Sequence, residues 1–299
     1  MRILLVVDGS SYSEMATGIL KALRFRSGTE VTVLTVVPEY TFLGRVSLSK
    51  VGRDASVRKE AQQQKALELL QEITQALSAS RLKAESLVRW GNPAETILKV
   101  ADEKRASLIA MGAKGQTDQP RFRLGSTAQK VMKYAKASVL LARNKPTAIK
   151  RVLLATDGSE HSDMVARFLL NVPLPRRTQV IVVTALQSHL EALIKMPTLD
   201  LQTNQRLLAQ LQEAEESRAW QIVRKCREEF QANGHDTLPI VMRGEAAESI
   251  LKAAETHNPD IIALGSKGLT TIESFIMGSV AERVARYADC SVLIGRTPG

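Results

Sequence analysis

The chain has 299 residues, of which 44% are hydrophobic and 24% charged, with 41 Lys and Arg against 31 Asp and Glu. Such a length and balance read as a soluble globular protein of about two domains, and no apolar run approaches the ~20 residues needed to span a bilayer. Two cysteines, Cys226 and Cys290, exclude a disulfide framework or a cysteine metal cluster and fit a reducing cytoplasm.

The opening MRILLVVDGS reads as a short strand ending in a turn, without the apolar length or cleavage site of a secretory leader. The same text recurs: RILLVVDGSSYSEMA (2–16) matches RVLLATDGSEHSDMV (151–165). In each copy a β-rich run (Ile3–Val7; Val152–Thr156) meets Asp-Gly-Ser, a turn and helix-start signal. A helix follows, then a second strand (Val31–Val37; Val180–Ala185). After a variable loop comes a long amphipathic helix, about 57–78 and 205–231. A third strand (Glu85–Arg89; Leu238–Met242) leads through glycine into another helix, about 94–103 and 247–255, which Asn92-Pro93 opens in the first copy only. A fourth strand, a glycine stretch, a last helix and a fifth strand (Ser138–Ala142; Ser291–Gly295) complete each copy. The period of about 150 residues marks a duplicated domain rather than a short solenoid repeat. It predicts domains at 1–145 and 149–299, joined by a short polar link containing Pro146. Alternating strands and helices predict an α/β fold of two tandem, doubly wound parallel sheets.

The two glycine stretches share one spacing. SLIAMGAKGQTDQPRFRLGSTA (107–128) and DIIALGSKGLTTIESFIMGSVA (260–281) each give Gly-x2-Gly, nine residues, then Gly-Ser opening a helix. Glycines after a buried strand allow a tight turn and close backbone approach. A Gly-Ser helix start presents free N–H groups and the positive end of the helix dipole, which suit an anion. Ordinary turn glycines would explain one copy, but the repeat at identical spacing favours a phosphate cradle. In doubly wound sheets ligands bind beyond the carboxyl ends of the strands at the topological switch point. Asp8 and Gly112 end strands one and four of the first copy, and Asp157 and Gly265 do so in the second. The competing role for both Asp residues is helix capping.

With these residues in place the chain resembles a tandem member of the universal stress protein family. Its nucleotide motif, Gly-x2-Gly-x9-Gly-Ser/Thr, is unbroken in both halves, and the resemblance covers essentially the whole chain. It implies an adenine-nucleotide alpha-hydrolase-like fold, five parallel strands in order 3-2-1-4-5, with ATP at the crevice between strands one and four. It further implies that Asp8 and Asp157 contact the adenosine, that Val36 and Ala185 meet adenine through the backbone, and that Gly112 and Gly265 lie by the ribose. Gly115, Gly125, Ser126 and Thr127 would hold phosphates in the first half, and Gly268, Gly278, Ser279 and Val280 in the second. Family sites often include Mg or Mn, although no acidic metal cluster is visible here. Family members pair through the fifth strand, which implies an intrachain pseudo-dimer, with further association into a homodimer and an unknown protein partner as extensions.

The copies also differ. The nine-residue spacer is polar in the first (QTDQPRFRL) and mainly apolar in the second (LTTIESFIM), and Thr127 faces Val280 in the motif. Lys114, Arg121 and Arg123 are candidates to strengthen phosphate binding in the first half. His161 stands where the first copy has Tyr12; His189, His235 and His257 read as surface residues, and Trp90, Trp220 and Cys290 as packing residues. Residues 1–149 carry 24 Lys and Arg against 13 Asp and Glu, whereas residues 150–299 carry 17 against 18. A basic half suits a polyanion, but aromatics at 4% argue against a base-stacking nucleic-acid platform. An enzyme, a slow ATPase or phosphotransferase, is the second alternative to a regulatory nucleotide binder. Against it, the Walker pattern is absent, and no carboxylate or His recurs in both spacers to orient a water.

Overall fold

The computed structural model describes residues 1–23, 25, 28–38, 48–80, 82–116, 123–144, 148–172, 174–175, 177–186, 201–268 and 277–296, with backbone alone for 48–58 and 201–208. The chain forms two compact units that part between Thr147 and Ala148.

In unit 1 the elements are β1 (Arg2–Val6), α1 (Ser11–Ala22), β2 (Glu30–Val37), α2 (Leu48–Ser78), β3 (Lys83–Trp90), α3 (Pro93–Glu103), β4 (Leu108–Gly112), α4 (Ser126–Tyr134) and β5 (Ser138–Ala142). All pairings are parallel, in the order β3-β2-β1-β4-β5. This is the expected order, and β1 is the switch point, paired to β2 on one side and β4 on the other. The central strands read as continuous apolar runs because both faces are covered. Every residue of LIAMG in β4 and SVLLA in β5 is buried. Right-handed crossovers place α1 and α2 on one face and α3 and α4 on the other. On that arrangement α1 packs against β4 and β5, α2 against β2 and β3, and α3 against α4.

Unit 2 repeats the plan with β6 (Arg151–Ala155), α5 (Glu160–Asn171), β7 (Gln179–Leu186), α6 (Leu201–Ala232), β8 (Thr237–Arg243), α7 (Ala246–His257), β9 (Ile261–Gly265), α8 (Ser279–Tyr287) and β10 (Ser291–Gly295). Its strands are again parallel, in the order β8-β7-β6-β9-β10. Phe230, Val223 and Leu77, from the inner stripes of the long helices, are fully buried.

Both long helices begin earlier than periodicity predicts, at Leu48 rather than 57 and at Leu201 rather than 205. Gly52 and the polar residues around it interrupt the apolar period without supplying a stop signal. The helix starts follow the local signals. Ser10 and Ser159 cap α1 and α5 by accepting from Ser13 N (3.2 Å) and Ser162 N (3.3 Å). Asn92 caps α3 with Pro93 in its first turn, as the Asn-Pro pair predicts. Among the described residues no helix is long and apolar enough to cross a membrane.

Candidate functional site

The crevice of unit 1 is built at the carboxyl ends of β1, β2 and β4. Thr35 of β2 donates its hydroxyl to the Val7 carbonyl (3.0 Å), which fixes the chain just before Asp8. Gly9 then turns with φ of 75°, a left-handed conformation that glycine adopts without strain. The Asp8 carboxylate accepts Ser10 N on Oδ1 (3.0 Å) and Gln116 N on Oδ2 (3.1 Å). Gln116 also donates its side-chain amide to the Asp8 carbonyl. Asp8 thus joins the loop after β1 to the glycine stretch after β4. Each carboxylate oxygen has two acceptor sites, so capacity remains for a ligand hydroxyl or amine.

The glycine stretch closes on itself. Gly125 N donates to the Ala113 carbonyl (2.8 Å), so the chain leaves β4 and returns beside it before starting α4. Gly125 is the N-cap of α4 and has no side chain to cap it. The first-turn amides of a helix have no partner within the helix, and here the first-turn residues Ser126, Thr127 and Ala128 border the crevice. Gly112 also answers a packing need. A Cβ there would lie 2.7 Å from Tyr12 Cβ and 2.9 Å from the Lys114 carbonyl oxygen. The glycine therefore lets β4 pass close under the first turn of α1. Lys114 Nζ stands 5.8 Å from the centroid of the Tyr12 ring.

These groups enclose a cavity of about 530 Å³, within the range of small-molecule sites. Its wall brings together Asp8, Val36, Gly112, Gly115, Ser126 and Thr127. Gly125 is buried and lies off the wall, acting through the loop closure and the helix start. Arg121 lies outside the described residues. Arg123 is exposed, and its carbonyl accepts from Arg143 Nη2 at 3.4 Å. The sequence reading missed the far wall: Gln62, Lys65, Ala66 and Leu69 of α2, with Pro93 and Ile97 of α3. The available signal was the i, i+4 spacing of Gln62 and Ala66, which continues to Leu70 on the buried stripe.

Unit 2 repeats the frame. Thr184 donates to the Thr156 carbonyl (2.7 Å) just before Asp157, whose Oδ1 accepts Ser159 N (3.0 Å). Gly278 N closes the loop on the Ser266 carbonyl (2.8 Å) and starts α8, again without a side-chain cap. Ser279 and Val280 form the first turn, and Ala185 is half-buried at the end of β7, as Val36 is in β2. Gly268 sits against the carboxylate, since a Cβ there would lie 2.7 Å from Asp157 Oδ2. Gly265 runs under the first turn of α5, where a Cβ would meet the His161 backbone at 3.3 Å. His161 and Tyr12 thus hold the same structural place. His189 lies outside the described residues.

Around this frame the units differ. In unit 2 the residue capping α7 is Glu245, which accepts Ala247 N (3.1 Å) and Glu248 N (3.0 Å). Arg283 of α8 bridges Glu245 Oε2 (3.0 Å) and Glu248 Oε1 (2.9 Å). Among the described residues no group of three or more His, Cys, Asp or Glu can hold a metal ion. Cys226 is buried on α6, and burial, with the carboxylates of Glu229 and Asp163 nearby, pushes its thiol up to about 11. It is a packing group rather than a reactive thiolate.

Two doubly wound parallel units, each with an acid-and-glycine crevice at its switch point, define the class of protein. The chain belongs to the universal stress protein family, whose sequence profile matches residues 1–143 and again 148–296. A universal stress protein of Methanocaldococcus jannaschii is 28% identical over 158 residues, covering 53% of this chain and 88% of that protein. One from Thermus aquaticus is 32% identical over 147 residues, covering 47% of this chain and 97% of its own length. Over nearly the full chain, the fold is like that of a universal stress protein from Archaeoglobus fulgidus. The TM-score is 0.63 and the identity 22%, with 99% of this chain and 98% of the other covered.

Proposed function

We propose that the protein is an ATP-binding regulatory module that takes the nucleotide at a switch-point crevice and presents a nucleotide-dependent surface to a protein partner. One observation carries this reading. In unit 1 the acid, the backbone at the end of β2, the paired glycines and the uncapped start of α4 all border one cavity of about 530 Å³. The set of groups suits ATP. Val36, Leu69 and Ile97 border the cavity and offer an adenine a backbone edge and apolar side chains. Asp8 offers an acceptor for the ribose hydroxyls. The amides of Ser126 and Thr127, with Lys65 and Lys114 on the wall, offer donors and cations to the phosphates. A divalent ion would arrive with the nucleotide, since the described residues supply no acidic cluster for one.

The test is the nucleotide content of freshly purified protein, released by denaturation, identified and counted per chain. Bound ATP, or stoichiometric uptake of Mg-ATP by stripped protein, is the expected result. Absence of ATP from the purified protein together with no uptake at millimolar Mg-ATP would remove the reading.

A further inference from the structure

We infer that the two crevices are not equivalent: unit 1 takes the nucleoside triphosphate, and unit 2 carries built-in carboxylates that exclude a polyphosphate. The inference rests on the nucleotide reading above and assigns its ligand to one unit. The cations around the two crevices are matched. Lys65 and Lys114 of unit 1 correspond in the repeat to Arg218 and Lys267 of unit 2. The anions are not. Gln62, neutral and on the cavity wall, is replaced on α6 by Glu215. One oxygen of that carboxylate, Oε2, is out of solvent and accepts no hydrogen bond. Asn92, the neutral cap of α3 beside the wall residue Pro93, is replaced by Glu245, the cap of α7.

The remaining two differences act in the same direction. Glu245 lies within 3.0 Å of Arg283, which Glu248 also binds. Arg283 is therefore already neutralised, whereas its counterpart Lys130 has no carboxylate partner among the described residues. The first turn of α8 offers Val280 where α4 offers the Thr127 hydroxyl. A triphosphate entering unit 2 would meet the Glu215 carboxylate that unit 1 lacks, a Glu245 that holds Arg283 away from an incoming anion, and one hydroxyl fewer. Like charges brought together in a partly dehydrated site oppose binding strongly.

The experiment is equilibrium dialysis of labelled Mg-ATP against the stripped full-length chain. Wild type is expected to bind one ATP per chain. Thr127→Glu puts a carboxylate where the phosphates lie, at a helix-start position that favours acidic residues, so it keeps the fold and is expected to weaken binding at least about tenfold. Glu215→Gln with Glu245→Asn gives unit 2 the side chains of unit 1, including an Asn cap, and is expected to add a second site. Two equal sites in wild type, binding that survives Thr127→Glu, or no second site in the double variant would each overturn the inference. No binding by wild type would instead remove the nucleotide reading beneath it.

Discussion

The floor of each unit, where the last strand meets the first helix, solves one packing problem in two ways. In unit 1 the end of β5 is Ala142, and the residue of α1 at the facing place in the repeat is Ala16, both with no exposed surface. In unit 2 the pair is Gly295 and Val165, and a Cβ on Gly295 would lie 2.3 Å from Val165 Cγ2. The volume has moved from the strand to the helix. Cores hold total volume more firmly than they hold any one side chain, so the pair and not the single residue is the unit of substitution.

The largest expected effect breaks that pair. Gly295→Ala should destabilise unit 2 by about 1–3 kcal/mol, the usual range for overpacking, and Val165→Ala added to it should restore most of the loss by recreating the unit 1 arrangement. The chain has two tryptophans, Trp90 in unit 1 and Trp220 in unit 2. Urea unfolding followed by fluorescence in a Trp90→Phe background therefore reports unit 2. An unchanged midpoint for Gly295→Ala would show that α5 is free to shift and that the packing argument is wrong.

A smaller effect compares two helix ends. Arg105, just after α3, and Asn258, just after α7, both hold left-handed backbone, with φ of 47° and 45°. Each end uses the turn to satisfy its last carbonyls, as Ala106 N does with the Ala101 carbonyl (2.8 Å) and Asn258 N with that of Ala254 (2.8 Å). Asn tolerates this conformation better than Arg, and Gly better still. Arg105→Gly should raise the stability of unit 1 by about 0.5–1 kcal/mol, and Asn258→Arg should lower that of unit 2. Thermal unfolding of the two variants checks both signs, and a loss in Arg105→Gly would count against the left-handed cap.

Next in size is the bridge between α7 and α8. Arg283→Ala should cost unit 2 about 0.2–1 kcal/mol, an effect that shrinks with added salt. Lys130→Ala should leave the stability of unit 1 within error. An equal loss in both variants, seen in urea midpoints at low and high salt, would mean that the side chains act by packing and not by charge.

What was legible in the sequence was local. The glycine spacing, the Asp-Gly-Ser turns and the Asn92-Pro93 start each act within a few residues of themselves, duplicated α/β periodicity gave the parallel, doubly wound class, and the strand order was what the resemblance implied. The far wall of the crevice was not legible. Gln62 and Lys65 reach it because α2 crosses β2 and β3, a tertiary relation that leaves no local mark. The close pass of Gly112 under Tyr12 and the exchange of volume between Val165 and Gly295 are of the same kind. Glycine in the motif was read as room for a ligand, and at Gly112 the close pass of α1 adds a second demand for a small residue.

The smallest effect separates the units by pH. At the amino end of the unit 1 sheet, Glu85 of β3 accepts Lys104 Nζ (2.7 Å) and the Thr32 hydroxyl (2.7 Å). The Lys104 hydrogen bond first, then that of Thr32, holds the Glu85 carboxyl below the ordinary Glu value against the opposing effect of burial. A carboxyl depressed on folding adds stability above its unfolded value and loses it as pH falls through the folded one. The contribution should therefore be intact at neutral pH and fade below the usual Glu range. Because Glu85 is largely exposed, solvent screens the pair and the effect is small. Unit 2 has Leu238 and His257 at the corresponding places, so it has no equivalent contribution. NMR titration of the Glu85 carboxyl should show a depressed value that returns toward normal in Lys104→Met. A value already normal in wild type would mean that the pair does not persist in solution.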